Sequence, residues 1–341
     1  MKIKLILFAT FLPFSIVWLL FNYQREEVNP ILEFKRELYN ISDKIVERVK
    51  LPNNCFPDFF AVNGENYYVY SIENKNFQVI NKNKVVNVFP KKDSKDSLKL
   101  ILSFIVDSNK IIGIDQISNK MVKIDTKNGV FTYESVPQFT RGIPLNDTVL
   151  LLVSIDTITR DRVFYKYNMR TNQTELLETP LPIVGDSGFA NDGFFDYSDE
   201  TKKLVYVLYH LGKVVTFDKY CQIIESYNTL DNYRFNPIVV QKGKRFYISR
   251  KSVMTNKAAT ISKNFVFIVS NMRSITDKKN GIKGEIIDIY DANLPNKYRY
   301  SVYFGDENIG NIIDIKVHRN NIYLMTNEEI ININLSGLKE Q

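Results

Sequence analysis

The sequence predicts an all-β fold: a six-bladed β-propeller, or a seven-bladed one if its longest repeat interval hides a degenerate unit. The first observation is a recurring unit made of a short strand, a polar turn, an alternating apolar strand, a second turn and a strand ending in Asp or Asn. It is found at Tyr67–Asn81, Ile111–Asp125, Leu150–Asn168, Leu204–Asp218, Phe265–Asp291 and Ile322–Asn334. The second observation is spacing. The closing residues Asn81, Asp125, Asn168, Asp218, Asp291 and Asn334 lie 44, 43, 50, 73 and 43 residues apart, so the interval of 73 has to hold an insertion. A repeat of roughly 40–50 residues with four short strands is the pattern of propeller blades. Third, the connections are short and polar, as at Asn63-Gly64, Lys127-Asn128-Gly129 and Thr171-Asn172-Gln173. Such links make hairpins rather than β-α-β crossovers. One blade cannot cover both of its faces, and stacking blades into a closed ring does.

Taken in chain order, residues 1–23 read as a membrane anchor or signal. Lys2 and Lys4 precede an uncharged run from Leu5 to Phe21 that contains Trp18. Seventeen residues at helical rise span about 25 Å, enough for a thin hydrocarbon core. The run ends Trp18-Leu-Leu-Phe-Asn-Tyr-Gln-Arg, without the small residues of a cleavage site, which favours an uncleaved anchor helix. No cysteine follows closely, so a lipid-modified anchor is excluded. Positive charge before the run puts the N-terminus in the cytoplasm and the rest outside. The expected location is the cell envelope, anchored in the inner membrane with the propeller in the periplasm, or secreted if the signal is cleaved.

Residues 24–54 read as an amphipathic helix or stalk. Pro30 suits a first turn, and Ile31, Phe34, Leu38, Ile41, Ile45 and Val49 recur by threes and fours. Leu51-Pro52-Asn53-Asn54 would end it. From residue 55 to 341 the chain is strands and polar turns, and the insertion falls at about 232–258. There Pro237–Ser249 predicts a hairpin turning at Lys242-Gly243-Lys244.

The composition narrows function by exclusion. An apolar fraction of 44%, with 20 Tyr and 23 Phe, supplies a β-rich core and argues against disorder. The net charge of +7 is diffuse apart from Lys242–Lys257, so no nucleic-acid partner is expected. Two cysteines, Cys55 and Cys221, are too few and too far apart for a redox pair or a zinc knuckle, and separate thiols are favoured over a disulfide. His210 and His318 are the only histidines, and both fall at turns. There is no nucleophile elbow, Walker loop, zinc-protease helix or calcium loop, so no metal, cofactor or catalytic set is assigned.

The stretches Val122–Gly129 (Val-Lys-Ile-Asp-Thr-Lys-Asn-Gly), Asp192-Gly-Phe-Phe-Asp-Tyr-Ser and Ile261-Ser-Lys-Asn-Phe-Val-Phe-Ile resemble those of bacterial six-bladed propellers of the TolB-like and NHL-like kind. The likeness covers about residues 55–336. It implies extracytoplasmic binding, docking of envelope proteins and, in some members, hydrolase or lyase activity. The regular Trp-Asp ends of WD repeats are absent.

Site candidates follow from propeller geometry, in which each blade's first strand lines the channel. Counting back 27 residues from Asn168 and Asp218 lands on Arg141 and Asn191, and the last unit's equivalent falls near Asn311. In the fifth unit the count lands on Asn264, inside a strand, so the preceding loop at Asn256-Lys257 is taken instead. With Asp192, these residues are expected at one channel mouth. Two cations, several amides and a carboxylate suit a small polar or anionic ligand, or the tail of an envelope protein. Lys242, Lys244, Arg245, Arg250 and Lys251 form a basic edge suited to solvent or to acidic polymers and lipid headgroups. The function favoured on these grounds is a non-enzymatic binding or docking module. The alternative is a propeller hydrolase or lyase with Asp192 as acid/base beside Arg141 or Lys257.

Overall fold

In the computed structural model, residues 32–90, 97–178, 181–198, 200–243, 245–293, 298–305 and 309–336 are described. The first strands of the described residues are β1 (Leu38–Asn40) and β2 (Ile45–Lys50), separated by a 3-10 turn at Ser42–Lys44. Four blades follow, each an antiparallel meander of four strands. The first comprises β3 (Phe59–Asn63), β4 (Asn66–Ser71), β5 (Asn76–Asn81) and β6 (Lys84–Phe89). The second comprises β7 (Ile101–Asp107), β8 (Lys110–Asp115), β9 (Lys120–Asp125) and β10 (Phe131–Ser135). The third comprises β11 (Arg141–Pro144), β12 (Val149–Ile155), β13 (Arg162–Asn168) and β14 (Gln173–Leu177). The fourth comprises β15 (Gly193–Ser198), β16 (Lys203–Leu208), β17 (Lys213–Phe217) and β18 (Ile223–Asn228).

An isolated hairpin of β19 (Val239–Lys242) and β20 (Arg245–Ile248) then precedes the fifth blade. That blade comprises β21 (Asn256–Ser262), β22 (Phe265–Ser270), β23 (Ile286–Asp291) and β24 (Tyr298–Tyr303), with a short helix α1 (Ile275–Lys279) between β22 and β23. The last blade has β25 (Asp314–His318), β26 (Asn321–Met325) and β27 (Glu329–Asn334). Its fourth strand is β2, antiparallel to β27, so the two ends of the described chain close the ring together. The long interval therefore holds the hairpin and α1 rather than a seventh blade, and the chain is a six-bladed β-propeller.

The closing residues repeat for a local reason. The side-chain oxygens of Asp125, Asn168, Asp218, Asp291 and Asn334 each accept the backbone N–H two residues on, at 2.6–3.0 Å. A short acceptor at the strand end thus builds the turn that follows the third strand, which in blades two to five leads into the fourth. The first blade differs: Lys82 and Asn83 both have positive φ (46 and 63), forming a two-residue turn that needs no such acceptor.

Six apolar clusters fill the six gaps between neighbouring blades. Phe164, fully buried between the third and fourth blades, meets the rings of Phe195, Tyr206 and Phe217 at 5.2–6.1 Å. Burying such side chains contributes roughly 1.5–3 kcal/mol each, and neither blade retains that burial alone.

Residues 32–50 correct the expected amphipathic helix. They are extended: β1 adds to the fifth blade parallel to β24, and β2 completes the sixth. The apolar stripe survives in another geometry, because Ile41 and Val49 are both fully buried against those blades. Without this segment β24 and β27 would be open sheet edges, whose unpaired backbone groups favour strand addition over a free helix. Residues 1–31, which hold the expected anchor helix, and Lys244 lie outside the described residues. Among the described residues no helix is long and apolar enough to cross a membrane.

Candidate functional site

The innermost strands β3, β7, β11, β15, β21 and β25 neighbour one another around the channel. Their first residues open on one face, together with the loops joining second to third strands. Two ionic groups mark this mouth. In one, Arg141 at the head of β11 reaches the next blade, its Nη2 2.9 Å and its Nε 3.1 Å from the Asp192 carboxylate. Arg162, at the head of β13, approaches the same carboxylate at 2.8 Å while donating to Gly188 O and Thr140 Oγ1. Gly193 permits the close approach of β15 to β16: a Cβ there would stand 2.2 Å from Val207 O. Burial opposes the Arg141 charge, but Asp192 more than offsets it and holds the guanidinium pKa above its ordinary value.

In the other group, Lys257 Nζ donates to Glu285 Oε1 at 2.8 Å and to Asn311 Oδ1 at 3.0 Å. Both expected cations therefore sit at the mouth, half-buried and each already paired with a carboxylate. Arg141 meets Asp192, and Lys257 meets Asn311. Asn191 and Asn256 do not face the mouth. They are buried, and their amides donate to Pro182 O and to Leu208 O, bracing loops.

Below the mouth lies a cavity of about 90 Å³ lined by residues of all six innermost strands, including Phe60, Phe104, Phe194, Asp196, Lys257 and Asp314. One water needs about 10–15 Å³ on this measure, so the space suits several waters. Of the six sequence candidates only Lys257 borders it. The charged groups inside are Asp196, Asp314 and Lys316, which sequence reasoning missed. Asp196 on the fourth blade accepts from Lys316 Nζ of the sixth at 2.5 Å and from Thr260 Oγ1 of the fifth at 2.6 Å. Asp314 accepts from Phe60 N of the first blade at 3.2 Å and from Ile315 N at 2.8 Å. Burial pushes the Asp314 carboxyl up to about 6, against the opposing pull of Lys316. Tyr209, also lining the cavity, is pushed to about 12 by burial. The available signal was a charge inside a channel strand, as in Gly193-Phe-Phe-Asp196, with Asp314 and Lys316 two apart on one face of β25.

The remaining chemistry-bearing residues are committed elsewhere. His210 is buried with Nδ1 2.7 Å from Val253 O. His318 ends β25, and burial lowers its pKa. Cys55 and Cys221 are separate buried thiols, pushed up by burial to about 11 and about 12. Among the described residues no three His, Cys, Asp or Glu side chains gather as metal ligands would.

No protein-family model and no curated protein sequence matches this chain. Solved structures do resemble it. A Bacteroides fragilis protein assigned as exported has 14% identity and a TM-score of 0.52, covering 86% of this chain and 88% of that one. The WD40 repeats of RRP9 have 8% identity and a TM-score of 0.50, covering 89% and 100%. Virginiamycin B lyase from Staphylococcus aureus has 10% identity and a TM-score of 0.46, covering 85% and 98%. At that score the lyase carries no inference about chemistry. The likenesses at 0.50 and above bear on architecture alone, and the strand pairing gives the blade count: the chain folds as a six-bladed β-propeller.

Proposed function

We propose that this chain is a membrane-anchored, extracytoplasmic docking module of a bacterial envelope, holding the polar tail or loop of a partner protein at its channel mouth. The observation that carries the reading is the contrast between mouth and channel. The mouth presents Arg141, Asp192 and Lys257, partly exposed, and Asn311, exposed, over the buried Arg162 and Glu285, so it carries charge of both signs. The channel beneath offers about 90 Å³ and is crossed by the Asp196–Lys316 pair. A surface of this kind engages a partner at its rim, where paired ions set specificity, and leaves little room to engulf a substrate. The anchoring half of the reading rests on the uncharged run from Leu5 to Phe21 behind Lys2 and Lys4. An exported neighbour of the same fold accords with it.

The hydrolase or lyase reading has one observation in its favour. Asp314 is a cavity-lining carboxyl with a pKa near 6, the kind of perturbed group that acid/base chemistry uses. Asp192, by contrast, has both oxygens engaged by Arg141 and Arg162.

The test is comparative affinity purification from gently solubilised membranes, using wild type and the Arg141→Ala, Lys257→Ala double variant. Arg162 still holds Asp192 in that variant, so the ring is expected to stay folded. A stoichiometric partner retained by wild type and lost at least tenfold in the variant is the expected result. A small molecule carried by both proteins, with no partner protein, would move the assignment to the enzyme.

A further inference from the structure

Among the described residues the β19–β20 hairpin pairs with no other strand. Its cross-strand pairs are Val239 with Ile248, Val240 with Tyr247, Gln241 with Phe246 and Lys242 with Arg245. Directly opposed residues share a face, so both faces carry apolar side chains and one ends in two cations. Val240, Phe246 and Tyr247 are 40–46% exposed, and nearby Phe235 and Ile238 reach 69% and 51%. From Asn232 to Met254 the chain has six Lys or Arg and no Asp or Glu. Among the described residues Lys242, Arg245, Arg250 and Lys251 enter no ion pair. Clustered exposed apolar groups mark a contact surface, and apolar groups rimmed by unopposed cations match the interface of an anionic bilayer.

A second observation selects the bilayer over an acidic protein. The hairpin's base and the start of the described chain meet on one loop of the fifth blade. Asn271 donates to Thr255 O at 2.8 Å and to Met254 O at 2.9 Å, just beyond the hairpin. Three residues further, Ser274 bridges to Leu32, and Ile275 N donates to Leu32 O. The chain thus enters the fold beside the hairpin, on the face that carries the channel mouth. The uncharged run to Phe21 lies ten residues upstream, and ten residues reach at most about 35 Å. A bilayer holding that run therefore lies within about 35 Å of the point where the chain enters this face.

We propose that the β19–β20 hairpin is a second membrane contact, seating Val240, Phe246 and Tyr247 among the headgroups of an anionic bilayer while Lys242, Arg245, Arg250 and Lys251 pair with lipid phosphates. The proposal rests on the anchored reading above and adds an orientation to it. Strands of four residues are about 13 Å long, so the hairpin props the channel mouth toward the membrane with a gap beneath. The partner at the mouth is then a membrane-proximal tail or loop.

The full chain is reconstituted with vesicles of phosphatidylcholine alone or mixed with phosphatidylglycerol, each carrying spin-labelled lipid as quencher. An environment-sensitive fluorophore is placed at Phe246→Cys or, as control, at Thr171→Cys in the β13–β14 turn on the opposite face. The native thiols are buried. Each basic residue at an anionic surface favours contact about fivefold. Quenching at position 246 is expected to exceed that at 171 several-fold in the anionic vesicles. It is expected to fall to the level at 171 in the Lys242→Ala, Arg245→Ala, Arg250→Ala, Lys251→Ala variant. Flotation with vesicles but equal, weak quenching at both sites overturns the hairpin contact and leaves the anchor standing. Absence of flotation overturns both. A fluorescence change that follows protein density without lipid quenching assigns the hairpin to a second copy of the chain and overturns the proposal.

Discussion

Asp314 shows most clearly how single residues hold the channel. Its carboxyl closes the sixth blade onto Phe60 of the first, where burial raises its pKa from 3.8 to about 6. A folded-state pKa above the unfolded one means that folding favours the protonated form. This group's stabilising contribution is therefore fully present below about pH 4 and is lost as pH rises through 6. The span between the limits is at most about 3 kcal/mol. Asp314→Asn keeps an acceptor for the Phe60 amide and removes the titration. Denaturant unfolding between pH 4 and 7 is expected to show stability falling less steeply with pH in the variant than in wild type. Parallel curves would show that the carboxyl does not titrate in that window. Little of this is written locally in the sequence: Lys316 is two residues away, but the Phe60 amide and Asp196 come from other blades. The closing Asp and Asn residues are the opposite case. Their partner is an amide two residues away, so the repeat they mark is readable from sequence.

At the scale of elements, the N-terminal segment straps the ring. Beyond the pairing of β1 and β2, Arg36 enters the fifth blade with its side chain fully buried. Its Nε lies 2.7 Å and its Nη2 2.9 Å from the Asp288 carboxylate, Nη2 also donates to Ser270 Oγ at 2.9 Å, and Nη1 pairs with Asp277. Burial opposes the guanidinium charge, yet Asp288 and Asp277 outweigh it and hold its pKa above the ordinary value. Asp277 is itself fixed by a capping box with Ser274 at the start of α1. Removing one member of a buried ionic group strands the others, at a cost of about 3–5 kcal/mol. Arg36→Ala is expected to lower stability by that amount in denaturant unfolding. Arg36→Met combined with Asp277→Asn and Asp288→Asn is expected to recover much of it. An Arg36→Ala variant as stable as wild type would mean that the strap is dispensable. The helical stripe from Phe34 to Val49 misleads because spacing by threes and fours also suits an irregular strand with a turn in it. The deciding partners, Ser301–Tyr303 and Glu329–Ile333, lie more than 250 residues away.

For the whole molecule, the blade count follows from six apolar gaps and six channel strands, and most of it was legible in the repeat. The hairpin at 239–248 was legible too, as two alternating runs around Lys242-Gly243. The mouth was legible in part. Counting finds Arg141, and the loop before the fifth blade's first strand supplies Lys257, but neither points to Arg162 at the head of β13 or Glu285 just before β23. Counting also cannot separate Asn311, which is exposed, from Asn191 and Asn256, which turn inward. The proposed docking role makes the mouth face the working surface of the propeller. The most direct measurement is photo-crosslinking in intact membranes, with benzoylphenylalanine replacing Asn311 at the mouth or Thr171 on the opposite face. A discrete protein adduct from position 311, absent from 171 and abolished by Arg141→Ala with Lys257→Ala, is the predicted result. An adduct formed from position 171 and not from 311 would place the partner on the opposite face and rule out docking at the mouth.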